Sequence, residues 1–262
     1  MITAILPAAG SSRRFGGDDK KIFQEIAGHP VWFHAAGCIA AMNDVDSMVL
    51  VVSPEDRERF QAQHSRLDNL AEMLGRRPLI VNGGAQRYDS VRAGLLAACR
   101  CVLGASAEGP AEDASGQQFP GEDFPGDDLP ADRFVAVHDA ARPHVMASDL
   151  RRLFDSAREN GAALLAAPVR GTLKRWSADV SDAGCQTVDR SGMWEALTPQ
   201  VFRIGLLVRA YQRWRGRPVT DDAQIVERSG HAVQIVQGSA DNIKITRRED
   251  LALVAAKMLS EE

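Results

Sequence analysis

The chain has 262 residues, of which 45% are hydrophobic and 25% charged, and its formal net charge is -4 at pH 7. This composition predicts a globular protein with a substantial core, and it argues against disorder and against general nucleic-acid binding. No apolar run is long enough to cross a membrane, and the four cysteines lack zinc-like spacing. We therefore expect a cytoplasmic protein with reduced thiols, and no membrane or nucleic-acid partner.

The first predicted element is a buried strand that ends abruptly in small residues. The apolar run 2–6 indicates the strand, and residues 7–17 are rich in alanine, serine and glycine. Small residues let backbone N–H groups approach an anion closely, which favours a polyphosphate loop. The cations within reach of that loop are Arg13, Arg14, Lys20 and Lys21. Neither common phosphate-loop pattern is present, so a basic surface turn is the alternative.

Alternating helices and strands follow this loop. Residues 31–42 predict a helix and residues 47–52 a strand covered on both faces. Ser53 is a candidate cap for the next helix, with a proline in its first turn. A short strand at 79–81 and a helix at 91–101 complete the pattern, which predicts βαβ units with right-handed crossovers.

The stretch 82–90 joins that strand to that helix. Gly83 and Gly84 permit a tight turn where the flat face of a ligand could approach the backbone, and Ser90 could hydrogen-bond a nucleobase. A plain strand-to-helix turn is the alternative. Residues 105–133 differ in kind, because acidic residues alternate there with proline, glycine and serine. This composition cannot bury enough apolar surface to offset its ordering entropy, and it predicts a flexible acidic insertion.

A strand at 134–137 runs into the polar sequence 138–143. Asp139 therefore lies at the carboxyl end of a predicted parallel strand, where open α/β sheets bind ligands. One carboxylate together with nucleotide phosphates is a normal way to hold Mg²⁺. Arg142 could clamp a phosphate, or could pair with Asp139 and merely stabilise the turn. His138 is interpreted as a packed histidine without a chemical role.

The remaining pattern predicts a helix at 148–160 that Ser148 caps and Gly161 ends, and then a strand at 162–168. Residues 169–192 predict a two-stranded excursion, which is marginally stable alone and is expected to pack on something such as another subunit. Residues 194–200 return the chain to the body. Further elements are helices at 204–214, 221–229 (capped by Thr220) and 248–259, a strand at 233–236 and an extended piece at 241–245.

Several of these stretches occur in the order seen in one family. The motifs are residues 7–21, 138–143, 187–190, 197–200, 220–222 and 241–246. Together they resemble the 2-C-methyl-D-erythritol 4-phosphate cytidylyltransferases of non-mevalonate isoprenoid synthesis, from residue 3 to about residue 259 without the insertion. The resemblance implies one α/β nucleotidyltransferase domain over residues 1–262. It would be Rossmann-like, with a mostly parallel central sheet flanked by helices and a protruding β-arm at about 169–192 for dimerisation.

The resemblance also implies roles for individual residues. The backbone cradle for the CTP phosphates would be Ala8, Ala9, Gly10 and Ser11. The catalytic cations would be Arg14, Lys21 and Lys244. Cytosine would be read by Gly84, Ser90 and Ala140, and Asp139 would bind Mg²⁺. The methylerythritol phosphate would be held by Arg142, Thr172, Arg190, Thr198, Thr220 and Lys244. In a homodimer, Arg190 would act in the partner's site.

The chain departs from the family pattern at Lys20, Ile22, Ala85 and Gly171, and none of these changes removes a required charge. Two other functions remain open from the sequence. One is a ribitol 5-phosphate cytidylyltransferase, which shares the opening loop and the motif around Asp139. The other is a nucleotide-binding regulatory protein without catalysis, which retention of both Arg14 and Lys21 argues against.

Overall fold

The computed structural model describes residues 1–10, 12, 15–16, 19–104, 124–125, 129–177 and 184–260. The strands in these residues are β1 (Ile2–Pro7), β2 (Glu25–Ile26), β3 (His29–Pro30), β4 (Val45–Val52), β5 (Leu79–Asn82), β6 (Phe134–Val137), β7 (Ala162–Pro168), β8 (Leu173–Ser177), β9 (Gly184–Val188), β10 (Trp194–Arg203) and β11 (Gln234–Gln237). The α-helices are α1 (Val31–Ala40), α2 (Arg57–Gln61), α3 (His64–Leu74), α4 (Arg87–Val102), α5 (Ala147–Asn160), α6 (Ile204–Arg213), α7 (Asp222–Arg228) and α8 (Arg248–Ser260).

Seven strands form the central sheet, in the order β11-β7-β10-β6-β1-β4-β5. All neighbouring strands pair in parallel except β10, which runs antiparallel to both β6 and β7. The predicted α/β fold with a mostly parallel sheet is confirmed. Because β1 lies between β4 and β6, the connections diverge at its carboxyl end and open a crevice there. No helix in the described ranges is long and apolar enough to cross a membrane.

Helices cover both faces of the sheet, which explains the continuous apolar runs in its strands. One apolar cluster contains Trp32, Phe60 and Phe154, and a second contains Leu95 and Phe202. These five side chains are fully buried. The core is therefore a three-layer arrangement in which the loops at one edge of the sheet are free to form a site.

Some predicted helix starts are wrong by a few residues. The Ser53 side chain does not cap the turn that follows, because its hydroxyl donates to the Asp56 carboxylate at 2.6 Å. Helix α5 has Met146 at its cap position, one residue before the helix begins, so Ser148 is already helical. Helix α7 is capped by Asp221, whose carboxylate accepts from the N–H of Gln224, rather than by Thr220.

Two predicted elements differ from the structure by more than this. Helix α4 begins at Arg87, four residues before its prediction, and the Asp89 carboxylate accepts from the Gln86 N–H at 3.0 Å. The sequence 194–200 is part of the ten-residue strand β10, which sequence reasoning did not identify as a strand. The other elements agree with their predictions to within a few residues, and Gly161 ends α5 at φ 84°.

The predicted excursion is a β-hairpin of β8 and β9, which form a two-stranded sheet of their own. Its Trp176 side chain is 71% exposed. The prediction of a flexible acidic insertion lies largely outside the described residues. Of that stretch, Phe124 is buried, with its ring centroid 6.4 Å from that of Tyr211.

Candidate active site

A cavity of about 650 Å³ opens at the carboxyl ends of β1, β5 and β6, where the fold places its crevice. Segments that are far apart in the sequence meet there, because parallel strands bring their carboxyl ends to one edge. The described residues lining it are Pro7, Ala8, Ala9, Gly10, Ser12, Lys21, Ile22, Gly84, Ala85, Gln86, Arg87, Ser90, Asp139, Ala140, Ala141, Lys244 and Thr246. Nine of the predicted site residues are among them.

The opening loop forms one wall of the cavity. The Ala8 N–H donates to the Val51 carbonyl at 2.7 Å, which ties the start of the loop to β4. The Lys21 N–H donates to the Ser12 hydroxyl at 3.3 Å, which ties Lys21 back to the middle of the loop. The small side chains leave backbone exposed, as an anion cradle requires. Ser11 and Arg14 lie outside the described residues, and their roles stay predictions.

The glycine pair after β5 forms the wall opposite. A Cβ on Gly83 would lie 2.7 Å from the Ser90 Oγ and 2.8 Å from the Ala9 Cβ. A Cβ on Gly84 would lie 2.4 Å from the Asp89 Cβ. A larger residue at Gly83 would therefore push the two walls apart, and one at Gly84 would collide with the Asp89 side chain of its own segment. The chain needs glycine at both positions because neighbouring side chains leave no room for a Cβ.

Asp139 is buried and surrounded by cations. Its Oδ1 lies 3.2 Å from Arg87 Nε, and its Oδ2 lies 2.8 Å from Lys244 Nζ and 3.6 Å from Arg142 Nε. Burial by itself raises the pKa of this carboxyl, but Arg87, Lys244 and Arg142 outweigh burial and hold the pKa well below its usual range. Asp139 is therefore ionised at neutral pH and lies among fixed positive charges.

Arg87 is a site residue that sequence reasoning missed. Besides Asp139, it reaches the fully buried Asp222, with Nη1 to Oδ2 at 2.7 Å. The Tyr211 hydroxyl donates to the other Asp222 oxygen at 2.6 Å. Burial lowers the pKa of Arg87, but Asp222 and Asp139 outweigh it and raise the pKa above its usual value. Both Arg87 and Asp222 belong to motifs singled out from the sequence, yet nothing in either motif shows that they pair.

A hydrogen-bonded relay fixes the loop that carries Asp139. The Asp139 N–H donates to the Thr198 hydroxyl at 3.1 Å, and His138 Nδ1 lies 3.1 Å from that same oxygen. His138 Nε2 is 2.9 Å from the Arg142 carbonyl, which can only accept, so the ring hydrogen belongs on Nε2 and Nδ1 accepts from Thr198. Burial lowers the pKa of His138 to about 4. The ring is therefore neutral at pH 7, and its complete burial agrees with the interpretation of His138 as a packed histidine.

Lys244 reaches the cavity from near the end of the chain. The Ile245 N–H donates to the Ala141 carbonyl at 2.8 Å, and the Asn242 side-chain amide donates to the Thr198 carbonyl at 2.7 Å. Arg142 is buried, and its Nη1 donates to the Asn242 carbonyl at 2.6 Å. This placement agrees with the alternative in which Arg142 stabilises a turn. Its role in phosphate binding stays a prediction.

The other predicted substrate residues are not among the described residues lining the cavity. Thr198 is buried in the relay, and Thr220 is exposed just before α7. Thr172 is exposed beside β8. Arg190 is exposed and lines a separate groove of about 460 Å³ at the base of the hairpin, together with Trp194. Their contact with substrate stays a prediction.

Known proteins of similar sequence test the family resemblance that the motifs indicated. The sequence profile of the 2-C-methyl-D-erythritol 4-phosphate cytidylyltransferases matches residues 2–103 and 128–260. The chain belongs to this family. It is a nucleotidyltransferase of isoprenoid precursor synthesis, as the motifs predicted. The profile leaves residues 104–127 unmatched, and all but the first of them fall within the predicted insertion at 105–133.

Individual relatives agree over nearly the whole length. The cytidylyltransferase of Rhodopirellula baltica is 45% identical over 255 residues, which cover 97% of this chain and 93% of the relative. That of Chromobacterium violaceum is 37% identical, with 97% and 96% covered. A crystal structure of a 4-diphosphocytidyl-2C-methyl-D-erythritol synthase superposes with a TM-score of 0.70 at 30% identity, covering 98% of both chains.

Proposed function

We propose that the protein transfers a cytidylyl group from CTP to 2-C-methyl-D-erythritol 4-phosphate and releases pyrophosphate. One observation carries the proposal, namely the meeting of Lys21, Lys244 and Asp139 with the bare backbone of residues 8–10 in one cavity. Such an arrangement of amides and fixed cations suits a triphosphate. Gly84, Ser90 and Ala140 line the same cavity, and in the proposed complex they would contact the nucleobase.

The reaction needs charge stabilisation more than proton transfer. A phosphate oxygen of the polyol phosphate forms a bond to the α-phosphorus, while the bond from that phosphorus to the leaving pyrophosphate oxygen breaks. Both reactants are anions, so Lys21, Lys244 and the predicted Arg14 would lower their repulsion and stabilise the charge that develops. The narrow cavity would hold the reacting atoms in line.

The residues present fit a Mg²⁺ ion that arrives together with the nucleotide. No three His, Cys, Asp or Glu side chains in the described part of the chain are grouped to hold a metal by themselves. Asp139 offers one carboxylate, and both of its oxygens face cations. Phosphate oxygens would complete the metal's coordination and balance those cations. When bound, the ion would supply further neutralisation of phosphate charge.

The proposed activity is tested by incubating the purified protein with CTP, Mg²⁺ and one candidate polyol phosphate at a time. We expect pyrophosphate release with 2-C-methyl-D-erythritol 4-phosphate. Release with ribitol 5-phosphate instead would identify the other transferase, and nucleotide binding without any release would indicate a regulatory protein. Lys21→Ala should lower kcat by about 10²–10³-fold, because one fixed cation is lost from the transition state.

The matched control for Lys21→Ala is Arg158→Ala. Arg158 lies in α5 and pairs with Asp155 and with Asp44, which precedes β4 and therefore lies at the opposite edge of the sheet. Its loss removes an exposed cation far from the cavity, so kcat should not change. A folded Lys21→Ala protein with the kcat of the control would contradict the proposed role of Lys21.

We also propose that the protein is a homodimer in which Arg190 acts in the partner's site. In the described part of the chain, Arg190 does not line the cavity, and the β8–β9 hairpin pairs with no other strand. An isolated hairpin is marginally stable, and a second copy of the chain would stabilise it. The large exposed fraction of Trp176, 71%, agrees with such a contact.

Co-expression of Lys21→Ala chains with Arg190→Ala chains tests this arrangement. If Arg190 acts in trans, a mixed dimer contains one site with both defects and one native site. Random pairing makes about half of the dimers mixed, so about a quarter of all sites should be native. If Arg190 serves its own chain, every site keeps one defect. Activity no higher than that of the separate variants, with mixed dimers present, would rule out the shared site.

A further inference from the structure

Lys20, the residue before Lys21, holds a contact that the proposed reaction does not explain. It is not among the described residues lining the cavity. Its Nζ lies 3.0 Å from the Ser53 hydroxyl, 2.5 Å from the Glu55 carboxylate and 2.6 Å from the Asp56 carboxylate. An ammonium has three hydrogens to donate, and these three acceptors match them. We call Ser53, Glu55 and Asp56 the ammonium cage.

The ammonium cage is attached to the central sheet and is partly shielded from water. Ser53 directly follows the buried strand β4, and its hydroxyl also donates to Asp56. The side chains of Lys20 and Asp56 are 19% and 11% exposed, so their attraction is screened less than that of a surface pair. Burial lowers the pKa of Lys20, but Asp56 and Glu55 outweigh it and raise the pKa, so the ammonium stays charged.

An ion pair lies beside the ammonium cage. Both carboxylate oxygens of Asp19 accept from the Arg59 guanidinium, at 2.5 and 2.9 Å. That guanidinium lies 3.6 Å from the centroid of the Phe23 ring. The backbone on both sides of Lys21 is therefore held against the segment that follows β4. Lys21 itself lines the cavity.

The backbone of Lys20 begins the turn that carries Lys21. Lys20 has φ −69° and ψ 139°, and its carbonyl accepts from the Phe23 N–H at 3.0 Å. Residues Lys21–Phe23 form one 3-10 turn, with Ile22 and Phe23 buried beneath it. A rotation at Lys20 would therefore move the Lys21 side chain relative to the cavity.

We propose that Lys20 is a positioning residue, whose caged ammonium fixes the backbone turn that presents Lys21 to the reacting phosphates. This inference rests on the proposed function, in which Lys21 neutralises phosphate charge. A cation that acts on a transition state must be held in place, since small displacements of a reacting group lower the rate by up to about 10²-fold. Lys20 contributes this constraint from outside the cavity and is not itself a catalytic residue.

The φ angle of Lys20 provides a discriminating pair of variants. Proline fixes φ near −65°, close to the −69° found here, and it lacks an N–H. The Lys20 N–H donates only to the side chain of its neighbour Asp19 among the described partners, at 2.8 Å, so little is lost. Lys20→Pro therefore replaces the constraint from the ammonium cage by a covalent one. Lys20→Ala removes the constraint altogether.

We expect Lys20→Ala to lower kcat about tenfold while the KM for CTP changes less, and Lys20→Pro to stay within about threefold of the wild type. Hydrogen exchange at the Phe23 and Gln24 amides, which donate to Lys20 and Lys21, should quicken in the alanine variant alone. If both variants keep the wild-type kcat, or both lose it equally, the inference is overturned. An equal loss in both variants would show that the charge of Lys20 supports turnover and that its constraint on the backbone does not.

If the proline variant does not fold, a second measurement tests the positioning role of Lys20. Asp56→Asn weakens the ammonium cage from the other side, so it should lower kcat as Lys20→Ala does. The double variant should then lose no more than either single variant, because both remove one constraint. Additive losses would overturn the inference. Hydrogen exchange needs no turnover, so a wild type that releases no pyrophosphate refutes the proposed function and leaves the proposed constraint measurable.

Discussion

The buried ring of His138 should make the stability of the protein depend on pH in a defined way. Burial lowers its pKa from 6.5 to about 4. Because the folded pKa lies below the unfolded one, the folded state favours the neutral ring. This stabilisation is complete above pH 6.5 and is lost as the pH falls towards 4. A difference of about 2.5 between the two pKa values corresponds to about 3 kcal/mol of unfolding free energy.

The hydrogen-bond relay gives the structural reason for this cost. A second ring proton would sit on His138 Nδ1 and point at the Thr198 oxygen, which already accepts from the Asp139 N–H. Thr198 would have to donate its own hydrogen elsewhere. A buried donor without an acceptor costs about 1–3 kcal/mol, and a buried charge costs more. The pKa difference and the lost hydrogen bond therefore both predict that protonation of His138 destabilises the fold.

The assay is equilibrium unfolding in urea at pH 7.5, 6.5, 5.5 and 4.5, for the wild type and for His138→Gln. The glutamine amide can keep both hydrogen bonds but does not titrate in this range. The wild type should lose about 2–3 kcal/mol more than the variant between pH 7.5 and 4.5. His231→Gln, which changes an exposed histidine, should follow the wild type. Equal pH slopes for the wild type and His138→Gln would refute the reasoning.

Two further changes test the site and the insertion. Arg87→Met should lower the unfolding free energy by about 3 kcal/mol or more in urea, because Asp222 stays buried and loses its cation. The control is Arg57→Met, which leaves only the neutral Asn82 amide without its partner and should lower the unfolding free energy by under about 1 kcal/mol. Equal losses of unfolding free energy in the two variants would contradict the role of Arg87. A short Gly/Ser linker in place of 107–122 should leave kcat and the thermal midpoint unchanged. Extending it through Phe124 should cost about 1–3 kcal/mol, the value of burying that ring.

Much of this fold is visible in the sequence because the signals are local. The buried strands read as continuous apolar runs, since each is covered on both faces. The strand β10 shows where local signals fail. It contains Pro199 among polar residues, yet it is a central antiparallel strand because its neighbours β6 and β7 provide partners on both sides. The cap of α7 is likewise Asp221 rather than Thr220, and its second carboxylate oxygen accepts from the Gln200 side chain of β10, a contact that only the fold creates.

The candidate site also combines features that the sequence predicts with contacts that only the structure shows. The sequence by itself determined the small-residue loop, the glycine pair, Asp139 and the lysines, because their chemistry depends on residue type and spacing along the chain. Only the tertiary structure showed that Arg87 pairs with Asp222, 135 residues away, and that the ammonium cage holds Lys20. These pairings depend on distances between side chains that are remote in sequence, and no local pattern encodes such distances. The sequence determined which groups are available, and the packing of the sheet edge decided which of them meet.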